Sequence, residues 1–451
     1  MKNTIDLTSG HEIKNIIRYS LPLLWGNILQ QLYFIINGSL VGNFLGKNAL
    51  ATIGVTYPII FFLVSFLIGL TIGLSIIVAQ FYGVKNFKKI QETTYTSLLF
   101  LFIFSLILAF FGFVLSRPTL LILGTPPEII HDANLYFQLF AVSLPIVFLF
   151  NSINAILRGI GDSKTSFQFL ALQVILNLFF DVIFILFLRI PVYYLALSIL
   201  FSNLISLMIT LLYLNKHHSI LNKEIFSFSF NWEIFRTNLK IGIPSGLQQS
   251  FIALGNIALL HLINSYGAAA TAAYFITSRI EYLISIPSIV LSSGLSIFVA
   301  QNGAIQFFKR IRKGYIGILF ISFAFALTLS ALCYFFRREI VMFFNADNQV
   351  VLYGSLYFSI AALFYWIFYA IFVNTAVLRG AGDTLTPMFV TMISLWLGRI
   401  PFAYILNHSS GVVGIWWSIP LGWVLGFLIS SYYVWRRKWK KKFIVHSPRV
   451  S

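Results

Sequence analysis

Twelve stretches of this chain are each long and apolar enough to cross a lipid bilayer, at about 17–40, 50–80, 93–115, 133–157, 165–188, 191–214, 240–264, 271–300, 314–336, 350–377, 385–406 and 411–435. A helix needs ~20 residues to span the hydrocarbon core. Composition agrees: of 451 residues, 59% are hydrophobic and 10% charged, against ~25% charged in an ordinary soluble domain. Too few charges remain to cover the surfaces of two or three soluble domains. Soluble, disordered and fibrous classes are thereby excluded, and the expectation is an all-α polytopic membrane protein. Pro and Gly interrupt several runs, which is tolerated where neighbouring helices satisfy the freed backbone groups. The runs at 50–80 and 271–300 exceed one straight crossing and are expected to tilt or to extend beyond the membrane. The polar N-terminus has no signal-peptide pattern, so the first run is read as a retained helix. The single cysteine, Cys333, leaves no internal disulfide.

Lys and Arg orient the spans. With a cytoplasmic N-terminus, the inside loops and tail hold 24 of the 31 basic residues and the outside loops hold 5. Both termini are therefore expected in the cytoplasm, in a multi-pass protein of the cell (inner) membrane. This distribution accounts for the net charge of +18 without a nucleic-acid partner. The terminal run WRRKWKKK reads as a stop signal and a contact with lipid headgroups.

The chain repeats itself. Gly73–Gln80 reads GLSIIVAQ and Gly294–Gln301 reads GLSIFVAQ, with seven of eight residues identical at an offset of 221. Leu157–Thr165 (LRGIGDSKT) and Leu378–Thr386 (LRGAGDTLT) share six of nine at the same offset. Each half holds six spans, so both halves start from the same side and are parallel copies, a transporter architecture. The expected division is an N-terminal lobe at 1–214, a basic linker at 215–239, a C-terminal lobe at 240–435 and a basic tail at 436–451. No phosphate-binding loop of the G-x-x-x-x-G-K-[ST] type occurs. Transport is then driven by an ion gradient, by a partner subunit, or by nothing. Neither HExxH nor GxSxG occurs, so no enzyme activity is expected.

An acid inside the membrane costs ~3 kcal/mol on insertion scales and marks a functional candidate. Two lie within spans, Asp181 and Glu281. Asn177 and Asp181, at i and i+4, share a helix face. A carboxylate beside an amide carbonyl is a nest for Na⁺, and the same carboxyl could instead carry a proton. Gln30, Tyr33 and Asn37 form a polar stripe on the first span, and Asn151 and Asn154 another on the fourth. Converging, these stripes would line a polar chamber; otherwise they tie helices together. Arg279 and Glu281, at i and i+2, do not face each other, so each needs another partner; with Arg399 they are read as structural intramembrane charges. Pro22, Pro145, Pro244 and Pro387 can kink their helices.

These residues together resemble the multidrug and toxic compound extrusion (MATE) family, over about Ile16 to Trp435. The resemblance is carried by Leu21-Pro22, Val41-Gly42-Asn43-Phe44-Leu45-Gly46, Val78-Ala79-Gln80-Phe81-Tyr82-Gly83 and Leu157-Arg158-Gly159-Ile160-Gly161-Asp162. The second half adds Ser278-Arg279-Ile280-Glu281, Phe298-Val299-Ala300-Gln301-Asn302, Leu378-Arg379-Gly380-Ala381-Gly382-Asp383 and Arg399-Ile400-Pro401. The resemblance implies V-shaped six-helix lobes, alternating access, and export of small cationic or amphiphilic compounds by a monomer in antiport with Na⁺ or H⁺, with no other cofactor. It implies a first-lobe cation or proton coupling site at Asp181, Asn177 and Asn37, with Gln30, Tyr33 and Asn154 beside it as substrate-binding positions. Family members often carry Asp where this chain has Asn37, so one of two carboxylates is missing. The seventh and tenth spans lack the acids that some members place there. The alternative is a lipid-linked oligosaccharide or lipid flippase on the same fold, which would favour a cavity rich in basic residues.

Overall fold

The computed structural model describes residues 4–217 and 230–445. Part of the expected linker, 218–229, and the end of the expected tail, 446–451, lie outside the described residues. The described chain is helical almost throughout. In order it forms α1 (Glu12–Leu40), α2 (Lys47–Gly83), α3 (Phe87–Val114), α4 (Ser116–Ile122), α5 (Pro127–Gly159), α6 (Ser163–Val182) and α7 (Leu195–His217). The second half forms α8 (Trp232–Asn264), α9 (Ala268–Ala304), α10 (Phe308–Phe335), α11 (Arg337–Phe344), α12 (Asn348–Ala361), α13 (Tyr365–Gly380), α14 (Leu385–Met392) and α15 (Ile400–Trp435). The repeat is exact in its boundaries: α2 and α3 recur as α9 and α10, and α5 as α12 plus α13, each displaced by 221 residues.

Among the described residues, eleven helical runs are long and apolar enough to span, where the sequence reading expects twelve. The last of them, Leu385–Trp435, has 51 residues. At 1.5 Å per residue it would reach ~75 Å, more than twice a ~30 Å core. It is broken at Gly411, whose φ of 58° and ψ of −142° leave the helical region. A Cβ on Gly414 would collide with the carbonyl of Leu406, and Ser394 Oγ donates to Gly422 O at 2.6 Å. Such contacts between residues far apart in sequence require the chain to fold back, so this run makes two antiparallel passes. Only glycine adopts the backbone of position 411 without strain.

Contacts divide the chain into two units, one of Met1–Asp6 with Leu21–Ile243 and the other of Leu7–Ser20 with Pro244–Ser451. The divisions fall beside Pro22 and at Pro244. They differ from the expected linker at 215–239: α7 runs to His217, α8 begins at Trp232, and the turns from Trp232 to Ile243 count with the first unit. In that unit Asn238 Nδ2 donates to Ser97 Oγ at 3.2 Å, and a Cβ on Gly73 would come within 2.9 Å of Asn238 Oδ1. In the second unit, Gly294 occupies the matching repeat position and lies against Ile16, Tyr19 and Ser20. Each repeat glycine therefore admits the opening turns of a long helix at a distance that a side chain would forbid.

The two repeated motifs also meet each other. A Cβ on Gly159 would lie 2.7 Å from Ser75 O and 2.8 Å from Val78 Cβ; at Gly380 it would meet Ser296 O and lie 2.8 Å from Val299 Cβ. The Gly-x-Gly-Asp segment then turns the chain. Gly161 (φ 91°) and Gly382 (φ 89°) end α5 and α13 in the left-handed region. Asp162 Oδ1 accepts the amide of Thr165 at 3.0 Å, and Asp383 Oδ1 that of Thr386 at 3.3 Å. Asp162 is the N-cap of α6, and Asp383 stands one residue before Thr384, the N-cap of α14; each satisfies a helix donor that would otherwise be unpaired. The apolar core of the first unit centres on α2, α3, α5 and α7, and that of the second on α9, α12, α13 and α15.

Candidate functional site

The first unit's site is assembled from α1 and α6. Gly26 of α1 lies against Phe167 and Leu170 of α6. About two and three turns further along α1, Tyr33 and Asn37 reach α6 at its end. Tyr33 Oη donates to Asp181 Oδ2 at 3.0 Å, and Asn37 Nδ2 donates to the same oxygen at 2.7 Å. Asp181 is 1% exposed and Asn177, one turn before it, is 5% exposed. Immediately beyond Asp181, the helix widens into a π-helical turn over Ile183–Phe187, a feature common at functional sites.

Two further groups bear on this carboxylate. Tyr136, buried on α5, is close enough to feel its charge. Ser198 on α7 faces it, yet its buried Oγ has no hydrogen-bond partner of its own. Asn177 Oδ1 is likewise buried and unpartnered. Buried polar atoms are normally paired, so the orphaned carbonyl oxygen of Asn177, one turn from the carboxylate, has acceptor capacity to spare. No set of three His, Cys, Asp or Glu residues able to hold a metal ion occurs among the described residues. The donors here are one carboxylate and neutral oxygens. Hard cations take such ligands, and soft transition metals do not favour them. The set fits a single monovalent cation or a proton.

The remaining sequence candidates are placed elsewhere. Gln30 is exposed on α1 and has no bond to Asp181. Asn154 is buried on α5, where its Nδ2 donates to Phe150 O at 2.9 Å and its Oδ1 accepts Ser166 Oγ at 3.1 Å. Both ends of Asn154 are thus engaged, the amide within α5 and the carbonyl in joining α5 to α6. Asn151 bonds back to Val147 O at 2.8 Å.

The second unit holds the other intramembrane acid. Tyr357 Oη on α12 donates to Glu281 Oε2 on α9. Arg399 acts electrostatically on the same carboxylate, without an ion pair within 4 Å. Trp416 packs over Tyr357 and stacks on Tyr274, with centroids 5.3 and 6.0 Å apart. Arg279 is exposed and lies over Phe275, 5.1 Å from its centroid. The requirement for separate partners for Arg279 and Glu281 is met by an aromatic face for one and a phenol for the other. Sequence reasoning missed Tyr136, Ser198 and Tyr357. A signal for two of them existed: Tyr136 and Tyr357 stand 221 residues apart, at one repeat position, Tyr357 bonding to its unit's acid and Tyr136 acting electrostatically with its own.

Comparison with known proteins gives a consistent answer. The family model MatE matches residues 22–183 and again 244–405. The probable multidrug resistance protein YoeA of Bacillus subtilis is 27% identical over 93% of this chain and 93% of its own length. The probable multidrug resistance protein YpnP of the same organism is 28% identical over 96% of this chain and 97% of its own. Among solved structures, a MOP superfamily transporter from Pyrococcus furiosus superposes with a TM-score of 0.89 at 22% identity, covering 96% of this chain and 97% of that one. This last likeness speaks to the fold.

Proposed function

The chain belongs to the MatE family of multidrug transporters, and from that premise we propose that it exports small amphiphilic, cationic compounds in exchange for Na⁺ or H⁺ taken up at Asp181. The observation that carries this reading is the buried carboxylate of Asp181, with two α1 donors on one oxygen and the unpartnered Asn177 Oδ1 one turn away. The names of the Bacillus relatives support multidrug export. We read the protein as a monomer in the cell membrane with both termini in the cytoplasm, as the bias of Lys and Arg supports.

The chemistry is electrostatic. A lone carboxylate in a span is costly, and Tyr33 and Asn37 offset part of that cost by donating to it. Binding of a proton or a monovalent cation removes the net charge. It also takes up acceptor capacity on the carboxyl group, so the two bonds to α1 weaken together. In the Na⁺ case Asp181 and Asn177 are the residues that would hold the ion. Coupling follows if the unit binds the cation better in one conformation than in the other, since a ligand shifts an equilibrium only by its differential affinity. Both donors sit on α1, so that helix is the element released.

The test is efflux of a fluorescent organic cation from pump-deficient cells, with Na⁺ and pH gradients imposed separately. Export by the wild-type protein should follow one gradient. Asp181→Asn should fold and reach the membrane, because the amide oxygen still accepts Tyr33, yet should lose gradient-driven export. Full export by Asp181→Asn would refute the reading.

A further inference from the structure

The C-terminal basic run is folded. After α15 ends at Trp435, Arg437 adopts a left-handed backbone (φ 54°) that turns the chain into a short 3₁₀ helix over Lys438–Lys441. Trp439 is buried, with its Nε1 donating to Val434 O at 3.1 Å. Phe443 is buried as well, occupying the space above Gly303 where a Cβ would stand. The run thus forms one wall of a pocket of about 400 Å³, whose other walls are the start of α10 and the end of α15.

Four cations line this pocket: Lys309, Arg312, Arg437 and Lys440. The ion pairs among the described residues join Lys89 to Glu92 and Arg310 to Glu12; none neutralises these four. Lys440 instead lies 4.8 Å from the centroid of Phe308. Four like charges gathered around one concavity repel one another, and an anion seated among them removes that repulsion. The deeper lining is apolar and includes Ile316 and the buried Val377. Arg312, Ile316 and Phe320 follow one face of α10 at i, i+4 and i+8, and Phe320 is 71% exposed. Trp435 at the rim is 77% exposed. Two spans pass from apolar to basic residues at this level with tryptophan between, the pattern of a membrane–water interface.

We propose that this pocket holds the phosphate headgroup of an anionic phospholipid, with its acyl chains lying along the Ile316–Phe320 face of α10. A basic pocket between spans at the interface provides the charge, and the continuous apolar face provides the chain contact that a free anion would not use. The lipid ties α10 to the end of α15 within the second unit.

The experiment uses the full-length protein in nanodiscs of phosphatidylcholine with increasing phosphatidylglycerol, and native mass spectrometry to count retained lipid. The wild-type protein should retain phosphatidylglycerol in preference to phosphatidylcholine. Removing two pocket charges in Arg312→Gln/Lys440→Gln should weaken retention roughly thirtyfold. Arg436→Gln/Lys438→Gln removes the same charge from residues that do not line the pocket and should leave retention unchanged. Ile316→Trp fills the pocket without altering charge and should also lose the lipid, with thermal unfolding verifying that each variant folds. Equal losses in the two charge variants, retention by Ile316→Trp, no headgroup preference in the wild type, or displacement of the lipid by inorganic phosphate would each overturn the proposal.

Discussion

The amide nitrogen of Asn37 sits 2.7 Å from Asp181 Oδ2, so the position where the family resemblance leads one to expect a second acid supplies a hydrogen-bond donor. One negative charge occupies the site instead of two. Asn37 does more than lack a charge: together with Tyr33 it fastens α1 to α6 through a single oxygen.

Asn37→Asp should tighten cation coupling. Two carboxylates at this separation repel by about 4 kcal/mol in a medium of intermediate dielectric, and that repulsion is relieved by a bound proton or cation. The driving-cation concentration for half-maximal export should fall at least about tenfold, since each 1.4 kcal/mol is a factor of ten. Efflux assayed against imposed Na⁺ and pH gradients reads this directly. An unchanged cation dependence would show that the cation does not bind at this carboxylate.

Gly159→Ala and Gly380→Ala should destabilise their units by about 1–3 kcal/mol each, as overpacking does. At both positions the new methyl would press on the carbonyl of a residue in the other repeated motif, Ser75 or Ser296, and a backbone atom cannot move aside cheaply. Gly54→Ala is the control, because nothing lies within 4 Å of a Cβ there and alanine favours the helix by about 1 kcal/mol. Thermal unfolding of the purified protein should rank Gly54→Ala above the wild type and both motif variants below it.

Glu281→Ala should lower stability by about 1–3 kcal/mol, the cost of leaving a buried hydroxyl without its hydrogen-bond partner. It leaves the Tyr357 hydroxyl without an acceptor. Glu281→Gln keeps the acceptor and should lose less. Neither should alter which gradient drives export if coupling resides at Asp181. A switch of coupling ion in Glu281→Gln would move the coupling centre to the second unit.

Much of the fold was legible before any coordinates. The apolar runs, the 221-residue repeat and the Gly-x-Gly-Asp segments carry local causes: hydropathy, backbone freedom and capping. Asp181 and Asn177 were legible for a related reason, because a polar pair at helical spacing in a span has few explanations. The break at Gly411 was also visible, as the gap between two runs, 385–406 and 411–435. The neighbours of each acid were not legible. Gln30, Tyr33 and Asn37 share one stripe on α1, yet two of them bond to Asp181 and Gln30 stays exposed. Asn154, with the same composition signal as Asn177, is spent inside the helix packing.

By itself the sequence determined that the chain is a duplicated bundle of membrane helices with one buried acid in each half. Burial in lipid leaves the backbone no partner outside the helix, and a 221-residue repeat leaves little freedom in how each half is built. Only the tertiary structure decided that the opening turns of α1 and α8 group with the opposite unit from the rest of their helices, that Asn37 donates to Asp181, and that the basic tail folds over α10. These depend on contacts between residues up to about 300 positions apart (Arg310 bonds to Gly10), and the choice among many chemically similar partners is made by packing.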